Sequence, residues 1–239
     1  MKQIKHKYVD IRGLKLHVAE IGTGPVVVFL HEFPEIWYSW SLWKLEPEKT
    51  TFKDLVDDLL AILDSFNISK VFLVAKEFGV HPAYHFAILY PERAIGVLSL
   101  GLPFMRRAGS EIPTAREDQE IMDLLEPSTP LPHWFSEEDL ASYISLYEKS
   151  GFRTPLQVPY RLFHEGYGVE LKVKVPAFVI MGEKDYALKF PGFVHYLNEM
   201  VRDYVPDMET YLPKGSHLVQ EQFPDKANQL IISFLSKHT

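Results

Sequence analysis

The chain has 239 residues, of which 46% are apolar, 24% charged and 13% aromatic; this suits one large domain or a core with a small appendage and excludes whole-chain disorder. It has no cysteine, which excludes disulfides, zinc–thiolate sites, iron–sulfur clusters and thiol nucleophiles together. A net charge of -7 argues against a binder of the nucleic-acid backbone.

In chain order, Val9 and Ile11, then Leu14, Leu16 and Val18, alternate with polar residues around Gly13, which predicts an antiparallel hairpin with one wet face. Val26-Val27-Val28-Phe29-Leu30 is an unbroken apolar run, the pattern of a central strand buried on both faces. Thr51 and Asp54 form a capping-box pattern, and Phe52, Leu55, Val56, Leu59, Leu60 and Leu63 mark one helical face. A second buried strand covers Val71 to Ala75, and a helix from about Gly79 to Tyr90 stops at Pro91. Strands are expected over Ile95 to Leu100, Ala177 to Met181 and Glu209 to Leu212. The last helix carries Ala227, Leu230, Ile231, Phe234 and Leu235 on one face. Strands alternating with helices predict an α/β fold with a parallel sheet.

Between about Arg106 and Glu170 the rhythm changes. Two helical patterns, Ala115–Glu126 and Glu137–Lys149, flank a stiff loop from Pro127 to Pro132. Ser136 with Asp139 starts the second helix and Gly151 stops it. The expected organisation is a core of residues 1–105 and 171–239 with a helical cap over 106–170.

Val71 to Gly79 runs a buried strand into a helix, with Glu77 at the corner and the small residues Ala75 and Gly79 two positions away on either side. This is the spacing of a nucleophile elbow, and also of an ordinary charged loop residue between strand and helix. Asp185, in Met181-Gly182-Glu183-Lys184-Asp185, follows a later strand; His217, in Gly215-Ser216-His217, follows the next. Each alone is more commonly a turn former or a solvated loop residue. Together, in the order carboxylate, acid, histidine, they suit a triad in which the acid orients the imidazole and the imidazole activates water. Phe33, in His31-Glu32-Phe33-Pro34, and Phe78 are the candidate backbone N–H donors to an oxyanion hole.

These stretches, with His31 to Trp40, Gly151-Phe152-Arg153 and Val158-Pro159-Tyr160-Arg161, Met181 to Tyr186, and Gly215 to Glu221, resemble the plant soluble epoxide hydrolases of the α/β-hydrolase fold. The similar stretches cover most of the chain. The resemblance implies an α/β-hydrolase fold: a mostly parallel sheet flanked by helices, under an abbreviated helical cap. It implies a carboxylate that attacks an epoxide carbon, a covalent ester, a lid tyrosine pair that holds and protonates the epoxide oxygen, and release of a vicinal diol. Residue by residue, it implies Glu77 as the attacking carboxylate, Asp185 as the acid, His217 as the base and Tyr160 as one lid tyrosine. His31, Pro34 and Trp37 are the expected substrate-binding residues, and no cofactor is implied. A serine esterase would need Ser where Glu77 stands. A haloalkane dehalogenase would need a halide-holding Trp where Phe78 offers no side-chain N–H.

Four departures from the family pattern lead to an expectation of impaired turnover. Glu77 replaces Asp, which lengthens the arm by ~1.5 Å; if the impairment is one of reach, Glu77→Asp is expected to raise diol formation. Glu32 replaces Gly. A strand–helix unit of on the order of 30 residues is missing between Trp40 and Glu48. The other lid tyrosine falls in a shortened part of the cap. The competing readings are a catalytically inactive relative that binds an apolar small molecule, and a truncated product. The expected partner is a small-molecule epoxide or other apolar ligand, with no nucleic acid and no membrane. The longest uncharged stretch, Ala94 to Met105, is too short for a span of ~20 apolar residues. The first twenty residues interleave charges with apolar residues, so no signal peptide is expected and the location is read as cytoplasmic. Incomplete sheet edges suit self-association as a homodimer. His81 and His85 have the i, i+4 spacing of a metal pair without a third ligand; they are read as packing or surface residues and no metal is expected.

Overall fold

A computed structural model describes residues 4–30, 51–105, 130–151 and 168–239. Strands β1 (Lys5–Ile11) and β2 (Leu14–Glu20) pair antiparallel from Lys5 with Glu20 to Ile11 with Leu14. The two turn residues, Arg12 and Gly13, both take positive φ, as a tight hairpin demands. Helix α1 (Phe52–Ser65) opens with the expected reciprocal cap: Asp54 N–H donates to Thr51 Oγ1 at 3.2 Å, and Thr51 N–H donates to Asp54 Oδ2 at 3.0 Å. The hairpin lies on this helix, with Ile11 and Leu16 packed on Leu55. Arg12 Nη1 reaches the buried carboxylate of Asp58 at 2.9 Å.

Among the described residues, the main sheet has five parallel strands in chain order: β3 (Val27–Leu30), β4 (Val71–Lys76), β5 (Ala94–Leu100), β6 (Ala177–Ile180) and β7 (Met208–Tyr211). The helices are α1, α2 (Val80–Leu89), α3 (Glu137–Ser150), α4 (Phe193–Asn198), α5 (Val219–Gln222) and α6 (Pro224–His238). The period of two in β4 splits the core between two faces. Leu73 and Ala75 pack with Val56, Leu59, Ala83 and Phe86 of α1 and α2. Phe72 and Val74 pack on the other face with Val219 and Phe234 of α5 and α6. Layers of helix on both faces follow from strands that are apolar on both sides. Ser136 caps α3 through Asp139, and Gly151 ends it at a φ of 70°. Among the described residues, no helix is long and apolar enough to cross a membrane.

One expectation changes. The run over Val26 to Leu30 suggests a central strand, yet among the described residues β3 is the edge of the five-stranded sheet and Phe29 is 63% exposed. Among the described residues, the hairpin forms a two-stranded sheet of its own. An apolar run does not encode which strands pair beside it. The join from Trp40 to Glu48 lies outside the described residues, as do His31, Phe33, Pro34, Trp37, the helical pattern 115–126 and Tyr160.

His81 and His85 lie buried on α2, 2% and 7% exposed, with rings 6.3 Å apart. His85 Nδ1 sits 2.7 Å from the His81 carbonyl, and its ring tilts against Phe104. Burial, with a smaller contribution from His85, lowers His81 to about 3; burial lowers His85 to about 4. The unfolded chain therefore takes up protons below the ordinary value of 6.5 while the native chain resists them. Stability is undiminished by this pair above that pH and falls as the pH drops from 6.5 toward 4, by up to about 1.4 kcal/mol per pH unit for each histidine. Thermal melts across this range are expected to show the loss. The double variant His81→Leu/His85→Leu is expected to show a flatter pH dependence, whatever its own midpoint.

Candidate active site

The strand register brings the site together. Leu30 pairs with Ala75, Lys76 with Leu100, Leu100 with Ile180, and Ile180 with Tyr211. Four strands thus end level, and each is followed by a loop at the same edge of the sheet. Glu77 is the residue after β4, Gly101 the residue after β5, Asp185 follows β6 and His217 follows β7.

The corner after β4 has the expected strain. Glu77 takes φ +47°, in the left-handed region that a residue with a side chain rarely adopts, and a single 3₁₀ turn (Glu77–Gly79) leads into α2. Phe78 sits in that turn directly after the corner, and its ring stacks on His81 at 6.1 Å. Glu77 is only 8% exposed. Burial pushes its carboxyl above the ordinary carboxylate range, against the opposing pull of Lys76 and His217.

Asp185 is almost wholly buried, and its Oδ1 accepts a bond from Ala187 N–H at 2.9 Å. Both carboxylate oxygens lie 3.1 Å from His217 Nδ1, which fixes the ring from behind. The opposite ring atom, Nε2, faces Glu77 Oε1 at 3.5 Å. Tyr186 covers the imidazole, with ring centroids 4.5 Å apart. The two loops are tied by backbone: Glu183 N–H donates to Pro213 O at 3.0 Å and Lys184 N–H to Gly215 O at 2.8 Å. A side chain at Gly182 would stand 2.3 Å from the Ser216 carbonyl, so the acid and histidine loops can meet only over a glycine. Gln222 holds the histidine loop by accepting from Ser216 N–H at 2.8 Å. From α3, Tyr143 donates to Glu221 Oε1 at 3.4 Å.

The sequence pattern thus brings three of its predicted residues into one row: Glu77, His217 and Asp185. Two further residues emerge only here. Lys76 ends β4 with 4% exposure, and its ammonium donates to Glu77 Oε1 at 3.2 Å and to the His217 carbonyl at 3.0 Å. A lone charge closing an apolar strand run was its signal. Gly101 takes φ +88°, and a Cβ there would fall 1.8 Å from Glu77 Oε1. Its signal was a glycine directly after the strand that neighbours the elbow strand. Glu77, Asp185 and His217 also offer ligand atoms within 4.8 Å of one another. The ammonium beside the Glu77 carboxylate opposes a cation there, and His217 Nδ1 is already turned to Asp185.

A carboxylate at a strained strand–helix corner, a histidine aimed at it and a buried acid behind the histidine form an arrangement suited to covalent catalysis by the carboxylate. No protein-family model matches the chain. Epoxide hydrolase 2 of Siraitia grosvenorii is 26% identical over 317 aligned positions, which cover 99% of this chain and 100% of the relative. The crystal structure of an epoxide hydrolase from Vigna radiata superposes with a TM-score of 0.83 at 26% identity, covering 98% of each chain.

The chain is an epoxide hydrolase-like α/β-hydrolase.

Potato (Solanum tuberosum) epoxide hydrolase I is similar at a TM-score of 0.80 and 25% identity, over 98% of this hydrolase and 100% of the potato chain. An alignment of 317 positions against a chain of 239 residues opens internal gaps in the hydrolase. The steric fit at Gly101 is testable without any assay of turnover. Gly101→Ala is expected to destabilise the hydrolase by more than the about 1–2 kcal/mol of a left-handed backbone alone. In a Glu77→Ala background the penalty should shrink to that backbone part, and denaturant unfolding of the four proteins of this cycle measures the coupling.

Proposed function

We propose that the protein opens an epoxide to a vicinal diol through an ester on Glu77. The approach of His217 Nε2 to the Glu77 carboxylate at 3.5 Å, with Asp185 at 3.1 Å behind the ring, is the observation that carries this reading. The relatives named as epoxide hydrolases support the same class of reaction.

Glu77 attacks an epoxide carbon; the carbon–oxygen bond of the strained ring breaks and the freed oxygen takes a proton. Tyr160, from the proposed cap over 106–170, is the proton donor carried by the family resemblance. His217 then removes a proton from water, which attacks the ester carbonyl, while Asp185 stabilises the imidazolium that forms. The backbone N–H groups of Phe33 and Phe78 are the proposed oxyanion donors. His31, Pro34 and Trp37 are proposed to meet a small apolar epoxide. No step calls for a cofactor.

The geometry revises one expectation about reach. Glu77 Oε1 already meets Lys76 and His217. Shortening the arm withdraws the carboxylate by ~1.5 Å, which lengthens both contacts. Glu77→Asp is therefore expected to lower diol formation by about 10²-fold, the opposite of a restored reach. In His217→Gln an aryl epoxide is expected to leave an alkyl ester on the peptide containing Glu77, detected by mass spectrometry. An epoxide-treated protein with no adduct on that peptide would reject Glu77 as the attacking group.

A further inference from the structure

The buried Lys76 has no place in the mechanism above. A lysine side chain that is 95% shielded requires partners for its ammonium. It has two, Glu77 Oε1 at 3.2 Å and the carbonyl oxygen of His217 at 3.0 Å. Oε1 is hemmed in further by the bare backbone of Gly101, whose missing Cβ would stand 1.8 Å from Oε1 and 3.1 Å from Lys76 Nζ. With Oε1 held between a glycine and an ammonium, Oε2 is the oxygen left to attack an epoxide. Oε1 then becomes the carbonyl oxygen of the ester.

We propose that Lys76 is a catalytic oxyanion stabiliser for the hydrolytic half of the reaction. The proposal rests on the reading that Glu77 carries the ester. As water attacks Cδ of Glu77, its proton passes to His217 Nε2 and the carbonyl π pair moves onto Oε1, beside Nζ. Collapse restores the carbonyl and breaks the Cδ–Oε2 bond. Oε2 leaves with the diol and takes the proton from the imidazolium. The oxygen of the water remains in the new carboxyl group, which releases its proton to solvent.

The His217 carbonyl gives the lysine a fixed place at this moment. Esterification removes the negative charge of Glu77, so a lysine held only by that charge would relax. The second bond keeps Nζ aimed at Oε1 throughout. The effect of Lys76 also differs between the two half-reactions. Its ammonium favours the free carboxylate, which restrains the attack on the epoxide, and favours the oxyanion, which promotes hydrolysis.

Rapid-quench mass spectrometry of wild type and Lys76→Gln with an aryl epoxide separates these effects. Lys76→Gln is expected to form the ester at least as fast as wild type. Its hydrolysis should be slower by about 10²–10³-fold, so that the alkylated enzyme accumulates at steady state. If wild type turns over and Lys76→Gln shows the same kcat and alkylated fraction, the role of Lys76 is overturned while Glu77 stands. If wild type makes diol and His217→Gln carries no ester on Glu77, both readings fall. A second measurement needs no change at Lys76. Infrared spectroscopy of the ester trapped in His217→Gln is expected to show a carbonyl stretch at lower wavenumber in the folded protein than after unfolding. Equal frequencies would overturn the contact.

Discussion

The contact between Lys76 and Glu77 governs the rest of the site. Two adjacent residues of opposite charge, both nearly excluded from solvent, sit where a strand turns into a helix. Neither group is tolerable there alone, because an unpaired buried charge costs several kcal/mol. The turn itself costs about 1–3 kcal/mol, since Glu77 is held at positive φ. The strain persists because the strand before it and the helix after it are fully packed. Val71 to Ala75 are buried without exception, and Ala83, Phe86 and Ala87 anchor α2 on the same core. Strain at the corner is thus offset by burial on both sides, and the carboxylate is left with one orientation.

From that corner the surroundings follow by exclusion. Oε1 needs space where Gly101 leaves it, so β5 must end in a residue without a side chain. The ammonium needs a second acceptor and takes the carbonyl of His217, which ties the last strand's loop to the elbow. The histidine in turn needs its ring held, and Asp185 does this from a loop locked to the same backbone through Gly182. Three loops that are far apart in the chain therefore share one mechanical frame. The sheet supplies it by ending its strands level, so small errors of position are not passed from one loop to the next.

On the side of the hairpin, the contacts among the described residues are side-chain ones: Ile11, Leu16 and the Arg12–Asp58 pair fasten it to α1. β3 ends one residue short of the elbow strand, and among the described residues it exposes Phe29 at the sheet edge. The long alignments to full-length relatives point to internal segments that these relatives carry and this chain lacks.

Local pattern carried much of this into view. The capping boxes at Thr51 and Ser136, the glycine stop at 151 and the apolar runs of β4, β5 and β6 depend on neighbours a few residues away, and they stand in the structure as read. The corner at Glu77 was legible for the same reason: small residues around one polar residue, between a strand run and a helix run. The residues that complete the site were not. Lys76 shows its purpose only when the carbonyl of a residue 141 positions later arrives beside it. Gly101 becomes necessary only when the neighbouring strand pairs in a register that sets it against Oε1. The edge position of β3 depends on which strands pair beside it, which its own apolar run does not encode. Side-chain periodicity is a property of one segment, so the residues alone determined the elements and the order of the catalytic candidates. Register and close approach are properties of pairs of distant segments, and only the packed sheet decided how the lysine, the glycine and the edge strand are used.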